Sequence, residues 1–434
     1  MSRALATSLP FYYGWVVVAV VAVTMGVGVN ARTGFSLLFP PILAEFGWDR
    51  ATIAGAFSFG FLVSALLSPV LGRMMDRRGP RRVTGLGIAA TASGLLLATQ
   101  ASAPWHVYAT LGALVGTGSV CLGYSCQALF LPAWFVRRRG LAMSIAFSGV
   151  GVGSIVLLPA MQWLIERHGW RSACLTLGVF TALALAPLAL LLRRRPEDLG
   201  LLPDGDTVAA GSGAPGAARS NVVDAAWAAV DWTLARALRT ARFWWLALGY
   251  FCGLFAWYMV QVHQTKYLVE TGFDARTAAW ALGAVSLVGI PGQIALGQLS
   301  DRVGREVVWA IGNAGFVLTY VALLLLESRP SGPLLWLMVI AQGGIGFGMT
   351  AVFGAIAAEI FEGRHYGSIF GTLMFAAISG GAAGPWTAGA IHDATGSYAA
   401  AWWLAIGACA VAVLAIARAS PGKVRAVAGR MRPG

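Results

Sequence analysis

Apolar stretches of about 20 or more residues recur along the whole chain, and each is bounded by a short charged or Gly/Pro-containing break. A helix of that length crosses a hydrocarbon core about 30 Å thick, where only helices and closed barrels satisfy their own backbone hydrogen bonds. The pattern predicts about twelve spanning helices. They lie near residues 13–39, 51–72, 82–101, 105–135, 140–165, 172–193, 243–268, 276–299, 306–327, 333–360, 367–391 and 399–418. The chain is therefore predicted to be an all-α integral membrane protein with twelve transmembrane helices.

The distribution of charge supports this prediction and gives the orientation. Only 11% of the residues are charged, whereas a soluble domain usually carries about 25%. In a soluble protein the net charge of +13 would suggest nucleic acid as a partner. If both termini are cytoplasmic, however, roughly 24 of the 31 Lys and Arg residues lie on the cytoplasmic side, as the positive-inside rule requires. We therefore expect a multi-pass protein of the cell membrane, a bacterial inner membrane in particular, with no nucleic-acid partner.

The two halves of the chain carry the same motif. The stretch GRMMDRRGPRR (72–82) returns as GQLSDRVGR (297–305), about 225 residues later. A second pair, FGWDRATIAGAF (46–57) and TGFDARTAAWAL (271–282), is displaced by about the same amount. This spacing is too long for a solenoid and fits a duplicated unit of six helices. Parallel repeats of this kind occur in transporters, which hold the substrate between the two copies near the middle of the membrane.

A stretch rich in Gly, Ala, Ser and Pro separates the halves and cannot bury enough surface to fold alone. We predict an N-terminal six-helix bundle over 1–195, a cytoplasmic linker over 196–242, a C-terminal six-helix bundle over 243–420 and a basic cytoplasmic tail over 421–434. The end of the linker places Trp227, Trp232, Leu234 and Leu238 among arginines. This pattern predicts a short amphipathic helix at the cytoplasmic interface.

Both copies of the repeated motif fall between the second and third helices of their half, at the cytoplasmic face. The glycines permit close helix approach, and the aspartates can bond helix N-terminal amides or a neighbouring arginine. The arginines are expected to face anionic headgroups. A basic cytoplasmic loop is common by itself, but two copies at matching sites need a further explanation. The residues are Gly72, Asp76, Arg77 and Arg82 in the first copy and Gly297, Asp301, Arg302 and Arg305 in the second.

This loop motif resembles the signature of the major facilitator superfamily, and the resemblance covers nearly the whole chain. It implies two pseudo-symmetric six-helix bundles and a gating role for the motif, which in that family helps to latch the halves in the outward-open state. The first copy departs from the signature by an inserted Pro80, and the second by Glu306 at its end.

Three further stretches give a finer resemblance. YYGWVVV (12–18), FGWDRA (46–51) and WFVRRRGLAMSIAFSGVGVG (134–153) are similar to the monocarboxylate and oxalate/formate transporter branch of that superfamily. The similarity implies small organic anions as substrates. It also implies that they are moved with a proton or exchanged for a counter-substrate.

Arg32 is the one cation that the predicted topology places inside the membrane. It lies about 27 Å along the first helix from Gly14, in the outer half of the span. A cation at that depth costs on the order of 3 kcal/mol, and no acidic residue is placed nearby to offset it. A substrate anion would supply the counter-charge, and in the monocarboxylate branch a cation in this part of the helix belongs to the substrate site. The alternatives are capping of carbonyls in a broken helix, helped by Asn30 and Gly34, and snorkelling to the outer interface.

The second half offers His263 at a similar height on the seventh helix. Imidazole can carry a proton or contact a carboxylate, and a hydrogen-bonded helix histidine is the alternative. Lys266, nearer the outer mouth, is expected to snorkel, and attraction of anions is the alternative. On the eighth helix, monocarboxylate carriers place an acidic residue and an arginine, whereas this chain has Gly289 and Gln293. Gln293 can hydrogen-bond a substrate but supplies no charge, so a neutral or zwitterionic substrate stays open.

Further polar side chains can complete a cavity wall. The predicted substrate site includes Tyr124 and Gln127 on the fourth helix and Asn30 beside the first-helix arginine, with Gln342 and Trp386 as additional candidates. Each of these side chains is also typical of contacts between membrane helices. Their presence alone therefore does not define a site.

The sequence shows no nucleophile with a base, no metal-ligand cluster and no nucleotide-binding motif. We therefore predict a protein that is not an enzyme and needs no cofactor or metal. The first choice is a secondary transporter that moves a small organic anion by alternating access. Alternatives are a carrier of a sugar or amino acid, an efflux carrier of the same superfamily and, from another class, a non-transporting receptor.

Overall fold

The computed structural model describes residues 10–48, 50–205 and 221–430, which are almost entirely helical. Ten helices in these ranges are long and apolar enough to cross a membrane. One of them, Arg139–Ala189, has 51 residues and turns at Gly169, whose φ of 81° and ψ of 163° are not helical. If this element is counted as two helices and Pro80–Ala98 is added to the count, the described residues are consistent with the twelve helices predicted. The all-α membrane fold is therefore confirmed.

The helices follow the predicted order in both halves. In the first half they are α1 (Gly14–Thr33, continued by Phe35–Phe46), α2 (Arg50–Arg78), α3 (Pro80–Ala98), α4 (Pro104–Ala133), and α5 and α6, the parts of Arg139–Ala189 before and after Gly169. In the second half they are α7 (Ala241–Glu270), α8 (Ala275–Val303), α9 (Arg305–Ser328), α10 (Gly332–Phe361), α11 (Tyr366–Thr395) and α12 (Ala399–Ala419).

The chain divides into two compact units. The N-terminal unit comprises Met1–Val136 and Ile145–Ala210, and the C-terminal unit comprises Arg137–Ser144 and Gly211–Gly434. The start of α5 therefore belongs with the C-terminal unit, although its sequence lies in the first half. The division after residue 210 falls within the predicted linker, in the stretch 206–220 that lies outside the described residues.

Glycines bring helices of the N-terminal unit into backbone contact. A Cβ atom at Gly26 on α1 would lie 2.8 Å from the carbonyl oxygen of Gly149 on α5. A Cβ atom at Gly112 on α4 would lie 2.8 Å from the carbonyl oxygen of Ala56 on α2. Lipid tails are as apolar as leucine, so membrane helices associate through close packing of small residues rather than through burial alone. The glycine-rich runs of the sequence thus serve helix packing.

Two helices contain a feature that the sequence does not predict. Each has a seven-residue π-helical turn, Tyr108–Leu114 in α4 and Ile340–Gly346 in α10. The two turns occupy corresponding places in the two repeats. Such turns are rare and are frequently found at functional sites. Their duplication indicates that the π-helical turn belongs to the repeating unit itself.

The end of the linker does not form the predicted amphipathic helix. It forms two short helices, Ala225–Ala228 and Leu234–Ala237. The rings of Trp227 and Trp232 lie 4.3 Å apart, and both contact Phe361 at the end of α10. Because a buried indole needs both apolar contacts and an acceptor for its N–H, these tryptophans pack on the C-terminal unit instead of lying on the membrane surface.

The described part of the tail, 421–430, is also folded onto the C-terminal unit. Val222 and Arg425 form an antiparallel bridge that joins the linker to the tail. The Arg425 side chain donates to the carbonyl oxygen of Glu359 over 2.7 Å, and its Nε lies 3.3 Å from a carboxylate oxygen of Glu362. Burial lowers the pKa of Arg425, and the nearby Glu362 carboxylate opposes that effect. The tail is therefore a structural part of this unit.

We expect Arg425→Ala to lower the thermal stability of the purified protein. The variant loses hydrogen bonds from a charged group that is 7% exposed, and such bonds contribute roughly 2 kcal/mol each. Lys423→Ala is the matched control, because Lys423 is an exposed cation of the same segment. Melting curves in detergent micelles measure the difference. Equal melting temperatures for the two variants would contradict the packing of the tail.

Candidate substrate site and gating motifs

Arg32 lies in the middle of α1. The helix is interrupted at Gly34, but it resumes and runs to Phe46, beyond the predicted end of the span. Along the helix, Arg32 is about 27 Å from Gly14 and about 21 Å from Phe46. It is thus farther from the outer end than the sequence indicates. Snorkelling operates near helix ends, so this position argues against it.

The guanidinium group of Arg32 stacks on an aromatic ring of α2. Its Cζ lies 4.1 Å from the ring centroid of Phe61. Phe61 packs edge-on against Phe57, and Phe57 stacks on Phe35 of α1, with ring centroids 5.2 and 5.5 Å apart. A guanidinium over an aromatic face makes a cation–π contact, and its planar fork can still give a carboxylate two hydrogen bonds. The aromatic ladder therefore holds the Arg32 side chain against α2.

Asn30 holds α1 against α5. Its Nδ2 donates to the carbonyl oxygens of Gly26 and Val150 over 2.7 and 2.9 Å. Its Oδ1 accepts from the hydroxyl of Ser154 over 2.7 Å. These bonds use both donors of the amide and one acceptor position. The structure therefore shows Asn30 as a packing residue next to Arg32, and its contact with substrate stays a prediction.

Tyr124 and Gln127 lie in a short helical segment within α4. The half-buried Tyr124 ring packs edge-on against Phe147, with centroids 5.0 Å apart. Gln127 is fully buried, and its Nε2 donates to the carbonyl oxygen of Cys121 over 3.2 Å. Its Oε1 has no hydrogen-bond partner among the described residues. Their place in the substrate site stays a prediction.

Both ring nitrogens of His263 have partners inside the C-terminal unit. Nε2 lies 2.9 Å from the carbonyl oxygen of Pro385 on α11, and Nδ1 lies 3.1 Å from the hydroxyl of Tyr398 at the start of α12. His263 is about 10 Å along α7 from its end at Glu270, closer to the outer end than the predicted height. The structure thus gives His263 the hydrogen-bonded setting that was the alternative to a substrate contact.

Amide side chains recur on α7, α8 and α10 in the C-terminal unit. Gln342 Nε2 donates to Gln261 Oε1 over 3.4 Å. Gln293 is 5% exposed and Gln264 fully buried; the Gln293 Nε2 and both amide atoms of Gln264 have no hydrogen-bond partner among the described residues. The sequence pointed to Gln293 and Gln342. Gln261 and Gln264 were not predicted, although the spacing of the glutamines along α7 was a signal for them in the sequence.

The family resemblance implies a charged residue at one position of α8, but in this structure an aromatic ring packs against that position. A Cβ atom at Gly289 would collide with the ring of Phe347 on α10. That ring stacks on Trp257 of α7, with centroids 4.6 Å apart. Gly289 therefore admits an aromatic pair where relatives are expected to carry an ionisable side chain. Trp386, a further candidate on α11, is 75% exposed.

The first copy of the gating motif ends α2. Gly72 is buried, Asp76 is half-buried and Arg77 is exposed. The Arg194 side chain, which follows α6, donates to the carbonyl oxygen of Asp76 over 2.6 Å. Within the N-terminal unit this copy is therefore tied to the chain segment that leaves the bundle.

The second copy, Gly297 to Arg305, caps the start of α5 inside the C-terminal unit. Asp301 accepts hydrogen bonds from the backbone amides of Gly140 and Leu141 over 2.9 and 3.1 Å. Amides in the first turn of a helix have no partner within the helix and carry its positive dipole end, so a carboxylate stabilises them. This is the bond to helix amides that the sequence predicts for the aspartate. A Cβ atom at Gly297 would lie 2.7 Å from the carbonyl oxygen of Gly140, which shows why the motif needs glycine.

The prediction that Arg305 faces headgroups is wrong. Arg305 is 1% exposed, its Nε donates to Glu359 of α10 over 2.8 Å, and its Nη1 donates to Asp301 over 2.6 Å. The neighbouring Arg302 is exposed, as predicted for a headgroup-facing residue. Arg305 thus neutralises a buried glutamate and orients the aspartate that caps α5.

A comparison with known families decides the classification. The sequence profile of the Major Facilitator Superfamily matches residues 16–354, well over half of the chain. The chain belongs to the Major Facilitator Superfamily. Its members are transporters, so the prediction that the protein is not an enzyme is confirmed.

Individual relatives within the Major Facilitator Superfamily agree. The chain is 28% identical to monocarboxylate transporter 13 of Rattus norvegicus over 397 residues, which cover 91% of this chain and 86% of the relative. It is also 28% identical to monocarboxylate transporter 11 of Homo sapiens, over 90% of this chain and 80% of that one. The resemblance to the monocarboxylate branch is thereby confirmed.

Solved structures agree on the fold. The E. coli fucose:proton symporter FucP superposes with a TM-score of 0.67 over 93% of this chain and 98% of the symporter, at 14% sequence identity. At that identity the likeness shows the shared fold alone. The fold of the Major Facilitator Superfamily is therefore supported by both sequence and structure.

Proposed function

We propose that this member of the Major Facilitator Superfamily is a secondary transporter of small, monocarboxylate-like organic anions, and that Arg32 binds the substrate carboxylate. The observation that carries the proposal is a guanidinium at the centre of α1, stacked on Phe61. Ionisable side chains at such depth are costly and mark substrate or ion pathways. Relatives named as monocarboxylate transporters agree with an anionic substrate.

Transport is proposed to proceed by alternating access between the two six-helix repeats. The gating motifs take part in this cycle. The hydrogen bonds that the backbone amides of Gly140 and Leu141 donate to Asp301 are present in the structure, and we propose that they break when the site opens to the other side of the membrane. A proton or a counter-substrate drives the cycle. The positive-inside rule supports cytoplasmic termini. A bacterial inner membrane is the proposed location.

A neutral or zwitterionic substrate is the second candidate. The observation that favours it is the set of amides on α7, α8 and α10, of which Gln293 and Gln264 keep buried polar atoms without protein partners among the described residues. Such groups bind hydroxyl or amide substituents as well as carboxylates. A sugar or an amino acid would hydrogen-bond to these amides and would not need a cationic side chain in addition to Arg32.

Flux into proteoliposomes tests the function. We expect saturable uptake of a labelled monocarboxylate, which other carboxylates inhibit and which sugars or neutral amino acids do not. Liposomes without protein are the control for leakage. Uptake of sugars or amino acids alone would support the second candidate. Binding of carboxylates without net movement would support a receptor and contradict transport.

A further inference from the structure

We propose that His263, with Tyr398 as its hydrogen-bond partner, is the site that takes up the coupling proton, and that proton uptake reverses the hydrogen bond between α7 and α12. This inference rests on the proposed transport function and adds the coupling ion and its residue. It concerns side chains of the C-terminal unit only. The argument starts from the chemistry of the two partners of His263.

The partners fix which ring nitrogen carries the proton in the neutral state. A carbonyl oxygen can only accept, so the contact of 2.9 Å between Nε2 and the Pro385 carbonyl requires an N–H on Nε2. In neutral imidazole the other nitrogen is then an acceptor. Nδ1 therefore accepts from the hydroxyl of Tyr398 over 3.1 Å. Each bond joins a different helix to α7.

Proton uptake changes one of these bonds and keeps the other. Imidazolium donates from both nitrogens. The bond from Nε2 to the Pro385 carbonyl, between α7 and α11, persists. The bond at Nδ1 must reverse, so that Tyr398 accepts and turns its own hydroxyl hydrogen elsewhere. The hydroxyl keeps that hydrogen, because burial and the nearby Glu270 and Asp393 raise the pKa of Tyr398. The α7–α12 contact is therefore a two-state element that responds to one proton.

Charged and titratable groups surround the helix ends that meet at this place. Three carboxylates lie around the outer ends of the helices that meet here, and one lysine opposes them. His392 stacks on the Tyr398 ring with centroids 4.3 Å apart, and its Nε2 lies 4.0 Å from Glu270. The groups concerned are Lys266 and Glu270 on α7, Glu327 on α9, and His392 and Asp393 on α11. Since Glu270 is partly exposed, the cluster connects the outer surface with the buried end of the Tyr398 side chain.

Two assays on the full-length protein in proteoliposomes test the proposal. The first measures accumulation of a labelled monocarboxylate driven by an imposed pH gradient, over pH 5 to 8, which brackets the ordinary titration of imidazole near about 6.5. The second measures counterflow exchange at equal pH on both sides. His263→Gln is expected to lose gradient-driven accumulation at least tenfold while keeping counterflow, because glutamine can hydrogen-bond but cannot take up a proton.

Tyr398→Phe supplies the second variant and keeps the proposal testable if His263→Gln does not fold. Removing the hydroxyl takes away the partner of Nδ1 in both protonation states. Because a hydrogen bond to the charged imidazolium is the stronger of the two, the midpoint of the accumulation profile is expected to move to lower pH. Tyr267→Phe is the matched control. Its ring packs against Tyr398 with centroids 5.7 Å apart, but its hydroxyl bonds the carbonyl oxygen of Leu323 and not the histidine. Its midpoint should not move.

The possible outcomes distinguish failure of the proposed proton site from failure of the proposed transport function. Wild-type accumulation and an unchanged pH profile in His263→Gln would overturn the proton site, as would an unshifted midpoint in Tyr398→Phe. Loss of pH dependence in His392→Gln with its retention in His263→Gln would overturn it by placing the proton on His392. Absence of any carboxylate counterflow in the wild-type protein would instead refute the proposed function.

Discussion

Arg32→Ala is expected to abolish saturable uptake of carboxylates. The guanidinium is the only group on α1 that can give a carboxylate two parallel charge-assisted hydrogen bonds. Removing one partner of a desolvated, hydrogen-bonded charge pair costs about 2 to 5 kcal/mol. That loss corresponds to at least about thirtyfold in affinity. Initial rates of uptake over a range of substrate concentrations measure the effect.

Two matched variants sharpen this experiment. Arg32→Lys keeps the charge but loses the planar fork and its stacking on Phe61, so an intermediate loss is expected. Lys266→Ala removes an exposed cation that is 3.6 Å from Glu270 at the outer end of α7, and we expect a mild effect. Unchanged kinetics in Arg32→Ala would contradict the assignment of the anion site.

Arg305→Ala is expected to produce the largest loss of stability. It would leave Glu359, which is 2% exposed, buried without its arginine and would release Asp301 from the orientation that caps α5. Breaking a buried ion pair by removing one partner costs about 3 to 5 kcal/mol. Melting curves or denaturant titrations of the purified protein measure the loss.

Two controls follow from the same network. Arg302→Ala removes the exposed arginine of the same motif and should change stability by less than about 0.5 kcal/mol. The double variant Arg305→Met with Glu359→Leu removes both buried charges and should recover part of the stability lost in Arg305→Ala. Equal losses in Arg305→Ala and Arg302→Ala would contradict the burial of Arg305.

The membrane fold could be predicted from the sequence because its strongest signals are local. Each apolar stretch of membrane length specifies one helix without reference to the rest of the chain. The repeated motif at residues 72 and 297 then revealed the duplication. Helix ends were less predictable. The continuation of α1 past Gly34 to Phe46 and the π-helical turns in α4 and α10 depend on packing between helices, which a single sequence does not display.

The cytoplasmic parts were predicted least well. Trp227 and Trp232 have the spacing of an interfacial helix, yet both pack on Phe361 at the end of α10. The end of α10 also gives the Trp227 N–H a carbonyl acceptor, and the Trp232 N–H bonds the carbonyl oxygen of Trp227. Arg305 looked like one more loop cation. Its burial depends on Glu359, which lies 54 residues away in the sequence. An ion pair between residues so far apart in the sequence produces no local sequence pattern.

The candidate site, too, could be predicted only in part from the sequence. The sequence identified Arg32 as a cation within the first helix by counting residues along it, but it placed Arg32 nearer the outer end than the continued α1 does. Apart from Gly26 on its own helix, the partners of Asn30 lie on α5, and those of His263 lie on α11 and at the start of α12. Sequence reasoning named these polar residues but could not distinguish a substrate contact from a hydrogen bond between helices.

The most direct test of the account compares the affinity of a monocarboxylate with that of its uncharged primary amide, in the wild-type protein and in Arg32→Ala. This double-mutant design isolates the interaction between the carboxylate and the guanidinium from all other effects of the substitution. We predict that wild-type protein prefers the acid by at least about thirtyfold and that Arg32→Ala prefers neither. An equal preference for the acid in both proteins would contradict the account and would leave Arg32 as a cap for the broken turn of α1.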